Sequence, residues 1–187
     1  MKYIKNRSAL KIFYYLISID GIVTGDEIGT YMDVSEAIDK TIFIQENVQI
    51  REECKQWINK ANKSKDELYA FVRCGVEDEL KEGLTNSAYG SLSTKLLIWD
   101  MLTLAHSDRE YASSEQRLIT FVACKTGLND VCLMEMENAI KTARAVKEEL
   151  NWIKTIDKPY AEIQNIVEEL QLRITTIEKN IKIIIEE

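Results

Sequence analysis

The chain contains a single proline, Pro159, and only seven glycines in 187 residues. These two residue types stop helices and shape strand turns, so long stretches of this sequence hold nothing that interrupts a helix. The abundance of Ala, Glu, Lys, Leu and Ile points the same way, and the sequence predicts an all-α protein. A hydrophobic share of 45% is enough to build a core rather than a disordered chain. The length suits one core, or one compact domain with an extended appendage.

Charge and cysteine usage narrow the classes of function. A net charge of −7 argues against nucleic-acid binding, which needs a basic face to displace counterions. Cys54, Cys74, Cys124 and Cys132 show no C-x-x-C spacing and no histidine partners. They read as reduced, mostly core thiols of a reducing compartment rather than as zinc ligands. Lys2, Lys5 and Arg7 ahead of Ala9 to Ile19 resemble a signal peptide superficially. Lys11 interrupts that stretch, Asp20 closes it and no small-x-small site follows, so an amphipathic helix is expected instead. No run is apolar enough to span a bilayer, and the expected location is cytoplasmic.

Caps and breakers divide the chain. Ser8 is placed to cap a helix whose Leu10, Phe13, Tyr14 and Ile17 follow the spacing of a half-buried face, and Asp20-Gly21 ends it. Thr24 to Glu27 is a capping box opening a second helix, with Ile28, Met32 and Val34 for burial. Around Glu46-Asn47 the alternation of Ile42, Ile44, Val48 and Ile50 fits a short hairpin and a continuing helix equally. Helical pattern resumes from Arg51 to Ala61. Ser64 to Glu67 is a second capping box, for a helix ending near Gly83. After the polar connection Asn86 to Ser93, a helix carries Leu96, Leu97, Met101, Leu104 and Ala105. Ser113 to Gln116 is a third box, for a helix carrying Leu118, Ile119, Val122 and Ala123 and stopped by Gly127. Asn129 caps a long helix with the stripe Leu133, Met136, Ile140, Ala143, Leu150, Ile153, broken at Asp157-Lys158-Pro159. Trp57, Trp99 and Trp152 sit in apolar stripes and read as core or helix contacts.

The last segment, Pro159 to Glu187, carries the stripe Ile163, Ile166, Leu170, Ile174, Ile177, Ile181, Ile184. Its steps of three and four fit a coiled-coil-like seam with one departure from the heptad. Burying each of these side chains contributes roughly 1.5–3 kcal/mol, so the bundle or another chain must cover the seam; Pro159 lets the helix fold back antiparallel or project, and self-association or a protein partner is expected. The expected division is residues 1–156 as a helical bundle and 157–187 as this C-terminal helix.

One motif occurs twice. Asp20 follows an apolar helix and Glu27 lies seven residues on, in the next helix's first turn; Asp108 and Glu115 repeat the pattern. Val23 and Tyr111 sit three residues after each aspartate. Two such helix–acidic turn–helix units are expected to pack as a pseudo-symmetric bundle. With Asp20-Gly21-Ile22-Val23 and Glu27 in one copy and Asp108, Tyr111 and Glu115 in the other, the chain from Ser8 to Ala143 resembles the TerB-like family, named for tellurite resistance. Arg109 stands where that family's motif has glycine, and the helix from Pro159 has no counterpart in the minimal domain. The resemblance implies acidic clusters that bind divalent cations. It also implies work in bacterial stress-response or phage-defence assemblies, and no established catalysis.

Asp20, Glu27, Asp108 and Glu115 are therefore the candidate ligands for Ca²⁺ or Mg²⁺, hard cations that take oxygen donors. The EF-hand loop pattern is absent, and the same residues also suit turns, caps and helix dipoles. His106 is the only histidine, and no nucleophile motif accompanies it. The sequence thus reads as a non-enzymatic adaptor or sensor tuned by a cation. Beside that stand a purely structural assembly protein whose turns bind nothing, and a metal-dependent hydrolase.

Overall fold

The computed structural model describes residues 2–61, 64–107 and 111–186. They form two compact units, Met1–Asp130 and Val131–Glu187. In chain order the first holds β1 (Tyr3–Lys5), α1 (Asn6–Ile17), α2 (Gly25–Ile38), α3 (Lys40–Ile58), α4 (Lys65–Gly83), β2 (Leu84–Thr85), β3 (Ser91–Ser93), α5 (Thr94–Ala105) and α6 (Ser113–Thr126). The second holds α7 (Asp130–Thr155) and α8 (Tyr160–Glu186). The fold is an all-α bundle with one very small sheet.

α1 organises the first unit. It packs against α2, α3, α4, α5 and α6, and nearly every side chain from Asn6 to Ile17 is buried. The expected half-buried face is corrected: α1 is buried on almost every side, with Arg7 and Lys11 half-buried, as befits a helix inside a core. It also begins two residues before Ser8, because β1 runs directly into it, and no side chain caps it. Gly75 and Gly83 let α4 approach closely. A Cβ at Gly75 would lie 2.8 Å from Tyr15 Cζ, and one at Gly83 would lie 2.7 Å from Ser8 Cβ. Tyr14 meets Tyr31 of α2 edge-on at 5.6 Å, and the Tyr31 hydroxyl donates to Asn47 Oδ1 of α3 at 3.3 Å. α6 lies along α4: Arg117 stacks on Tyr69, Arg73 on Phe121, and Lys125 pairs with Glu77 at 2.9 Å.

The ambiguous stretch around Glu46-Asn47 is helical. Asp39 starts α3 by accepting the amides of Thr41 and Ile42, and Asn47, Ile50 and Cys54 are buried from that helix. Of the four free cysteines only Cys54 is a core thiol, which corrects the expectation of mostly core positions. Cys74 and Cys124 are exposed and Cys132 is half-buried. Burial pushes the Cys54 thiol up to about 12.

The strands were not expected, and they expose the architecture. The elements starting at residues 3, 6 and 25 recur, with equal lengths, at 91, 94 and 113, a constant spacing of 88 residues. The sheet order is β2-β1-β3, and β1 pairs antiparallel with β3. Tyr3 lies opposite Ser93, Ile4 opposite Leu92 and Lys5 opposite Ser91. Ile4 and Leu92 are equivalent under the 88-residue spacing, so a local two-fold axis passes between them. The bonds Asn6 N–H to Gly90 O (3.1 Å) and Thr94 N–H to Lys2 O (3.0 Å) are each other's images under it. The repeated unit is thus strand–helix–turn–helix, one strand longer than the pattern legible in the sequence.

In the second unit Val146, Leu150 and Ile153 of α7 form a cluster with Ile163, Val167 and Leu170 of α8. The break at Asp157-Lys158-Pro159 turns the chain back rather than separating two domains, so the compact division falls at 130/131 instead of 156/157. Val167 is buried where Ile166 was expected, and Ile166 is exposed. The α8 seam therefore reads 163, 167, 170, 174, 177, 181, 184, an unbroken 4-3 alternation without the irregular step. Trp152, expected in a packed stripe, is 65% exposed.

The tight α1–α4 contact gives a sign test. Gly75→Ala raises intrinsic helix propensity by about 1 kcal/mol, but its methyl collides with the Tyr15 ring. We expect net destabilisation of about 1–3 kcal/mol, read as a lower urea midpoint at unchanged m-value. A raised midpoint would contradict the close packing.

Candidate functional site: the two acidic turns

α1 ends where the Ser18 hydroxyl donates to the Tyr14 carbonyl at 2.8 Å and the chain turns at Gly21, with φ at +87°. That left-handed conformation favours glycine. Asp20 is exposed, and its Oδ1 accepts the Ile22 amide at 2.8 Å, closing an Asx turn. The expected capping box then forms. Glu27 Oε2 accepts the Thr24 amide at 2.7 Å and the Thr24 hydroxyl at 2.8 Å, while Thr24 Oγ1 accepts the Glu27 amide at 3.2 Å.

The second turn follows the end of α5, where the His106 and Ser107 amides donate back to Leu102 and Leu104. The His106 ring lies 4.4 Å from that of Tyr111. Asp108 falls outside the described residues, as do Arg109 and Glu110. The expected box at Ser113 is shifted by one residue: Ala112 precedes the helix, and its amide donates to Glu115 Oε2 at 2.8 Å. Glu27 and Glu115 are both 5% exposed and both accept the amide three residues earlier. They are equivalent under the 88-residue spacing. A buried carboxylate is stable there because backbone donors and the helix N-terminus replace its water.

Asp20, Glu27 and Glu115 thus each accept a hydrogen bond of a turn or a helix start. Among the described residues no group of three or more His, Cys, Asp or Glu side chains converges on a point that could hold a metal ion. Nor is any described helix long and apolar enough to cross a membrane.

The densest polar constellation lies elsewhere, along α1. Arg7 pairs with Glu46 (2.7 Å) and Glu53 (2.8 Å), and Lys11 pairs with Glu53 (3.0 Å) and Glu79 (2.8 Å). The sequence signal was Arg7 and Lys11 at i, i+4 on an otherwise apolar helix, which forces both cations to find partners on α3 and α4. Burial raises the Glu53 carboxyl, but hydrogen bonds from Lys11, Arg7 and Gln49 outweigh it and hold it at about 2. Asp100 on α5 is the opposite case, since desolvation lifts it to about 7 with nothing to offset it.

Comparison with protein-family models, with curated proteins and with solved structures returns no match.

Two pH effects follow. Glu53 ionises more readily folded than unfolded, so its contribution is full above about pH 4.5 and fades as pH falls toward about 2. Part-exposure and salt screening keep that contribution modest. Asp100 holds its proton in the folded state up to about pH 7, whereas the unfolded chain releases it near 3.8, so stability falls as pH rises between those values. In urea titrations from pH 2 to 8, Glu53→Gln should flatten the acid limb. Asp100→Asn should raise stability at pH 8 and leave the acid limb intact. Unchanged profiles would remove both assignments.

Proposed function

We propose that this chain is a non-enzymatic helical adaptor in a bacterial stress-response or defence assembly, contacting protein partners through its C-terminal hairpin. The distribution of exposed apolar side chains carries the reading. Among the described residues the shorter unit holds seven large ones: Val131, Met134, Trp152, Tyr160, Ile166, Leu172 and Ile183. The described residues of the longer unit hold five. Water-exposed groups of this size concentrate where a partner covers them. The α8 seam itself is used in part within the hairpin, so the partner surface lies on the outward positions. The resemblance supplies the class of assembly, and the polar contacts of the acidic turns supply structural roles without a catalytic constellation.

Affinity purification of the tagged chain from its own cells tests this. A defined protein should co-purify with the wild type and be lost with Leu172→Asp, Ile183→Asp, while helical circular dichroism stays unchanged. A chain that purifies alone, or a partner indifferent to these changes, would overturn the proposal.

A bound divalent cation belongs to the same proposal, with Asp20, Glu27, Asp108 and Glu115 as its ligands. It is tested separately by melting with Ca²⁺, Mg²⁺ and Mn²⁺. A bound ion raises the melting temperature by linkage, and Asp20→Asn, Glu27→Gln abolishes the rise. A metal-independent drop in that variant assigns the pair to capping alone, worth about 0.5–2 kcal/mol.

A further inference from the structure

The two flanks of the α7–α8 hairpin differ in charge. In its closed half the core residues Val146, Leu150 and Ile153 of α7 and Ile163, Val167 and Leu170 of α8 recur in steps of three and four. The positions beside that seam then form one row on each side of each helix, and rows of the two antiparallel helices join into two flanks. On the first flank α7 presents Glu149, Trp152 and Ile156, and α8 presents Glu162, Ile166 and Glu169. On the second, α7 presents Lys147 and Lys154, and α8 presents Gln164 and Gln171.

The first flank is an apolar patch set among carboxylates. Trp152 is 65% and Ile166 45% exposed, and Ile156 is half-buried against the hairpin core. Glu149, Glu162 and Glu169 are all exposed. Among the described residues none of the three has an ion pair or a side-chain hydrogen bond, whereas Glu148 and Glu168, off this flank, are held by Arg144 and Gln164. Trp152 and Ile166 are thus left to water, with negative charge around them and no cation of the flank to balance it until Arg173.

We infer that this flank takes a cationic amphipathic helix of another protein, its apolar residues over Trp152, Ile156 and Ile166 and its Lys or Arg side chains among Glu149, Glu162 and Glu169. The inference rests on the hairpin being the adaptor's partner surface and names the chemistry of the partner. Helical partners present apolar residues in just such a stripe, and tryptophan is among the commonest anchors of protein contacts. Its indole face also attracts a cation, as Lys60 shows over Trp57 at 5.1 Å. Charge selects the occupant. A second copy meeting this flank about a two-fold axis would set glutamates against glutamates. An anionic lipid surface or a nucleic acid would be repelled by the same three groups.

The probe is a synthetic amphipathic helix with leucine on one face and arginine on the other, titrated into the full chain by calorimetry beside a counterpart in which glutamate replaces arginine. The wild type should bind the arginine peptide and not the glutamate one. Trp152→Ala, and separately Glu149→Gln, Glu162→Gln, Glu169→Gln, should each weaken binding about tenfold or more, with helical circular dichroism unchanged because all four side chains are exposed. Glu148→Gln, Glu168→Gln, Glu178→Gln removes the same charge from other rows and should leave the affinity within about twofold. An arginine peptide that does not bind, a glutamate peptide that binds equally, or a control triple variant as weak as the flank variant each overturns the inference. So does a dimer in sedimentation that Trp152→Ala dissolves, since it assigns the flank to a second copy. A co-purifying protein lost with Leu172→Asp, Ile183→Asp but retained by Trp152→Ala would leave the adaptor reading standing and overturn this one. A chain that purifies alone while the arginine peptide binds as expected would remove the adaptor reading and keep the chemistry of this flank.

Discussion

The rest of the first unit depends on α1, which is buried on every side except where Arg7 and Lys11 reach toward the surface. Such a helix has little access to water, so its charged groups are drawn to protein partners. Arg7 and Lys11 reach carboxylates on α3 and α4, and Asn6 donates to Asp39, which in turn starts α3. Steric demands are equally strict. α4 can lie against Tyr15 and Ser8 only because Gly75 and Gly83 have no side chain. The central helix thereby shapes how α3 and α4 pack.

Pseudo-symmetry enters through the same helix. β1 delivers α1 into the core, and β3 delivers α5 in the same way 88 residues later, with Ile4 and Leu92 paired at the axis. Sequence identity between the copies is too slight to carry this, since Lys11 corresponds to Trp99 and Ile12 to Asp100. What persists is the backbone plan and one side-chain role, the glutamate that seals the first turn of α2 and α6. The C-terminal halves of the copies then diverge: α3 and α4 complete the first unit, while α7 and α8 make a longer hairpin with its own core.

Most helix existence was legible because it depends on local chemistry. Thr24 with Glu27, Ser64 and Gly127 mark boundaries whose physics involves only a few neighbouring residues. What tertiary contacts decide was not legible. Ser8 is a good cap by type, but the strand pairing of Tyr3–Lys5 sets the start of α1 earlier. The strands are only two or three residues long, too short for a period-two pattern to register. Ile166 and Val167 are both apolar, and only the face turned to α7 chooses between them. Asp20 closes a turn where the spacing put one, and Asp20, Glu27 and Glu115 show the hydrogen bonds of turns and caps; binding of a cation is what the resemblance alone implies.

The central claim, a core built on α1 and repeated through α5, is tested most directly by residue-resolved native-state hydrogen exchange. Amides of α1 and α5 should exchange most slowly and with the same free energy, that of global unfolding, because each is locked to the other across the strand pair. Those of α7 and α8 should open independently and at lower cost. Fast exchange in α1, or α5 opening together with α7 and α8 rather than with α1, would contradict the account.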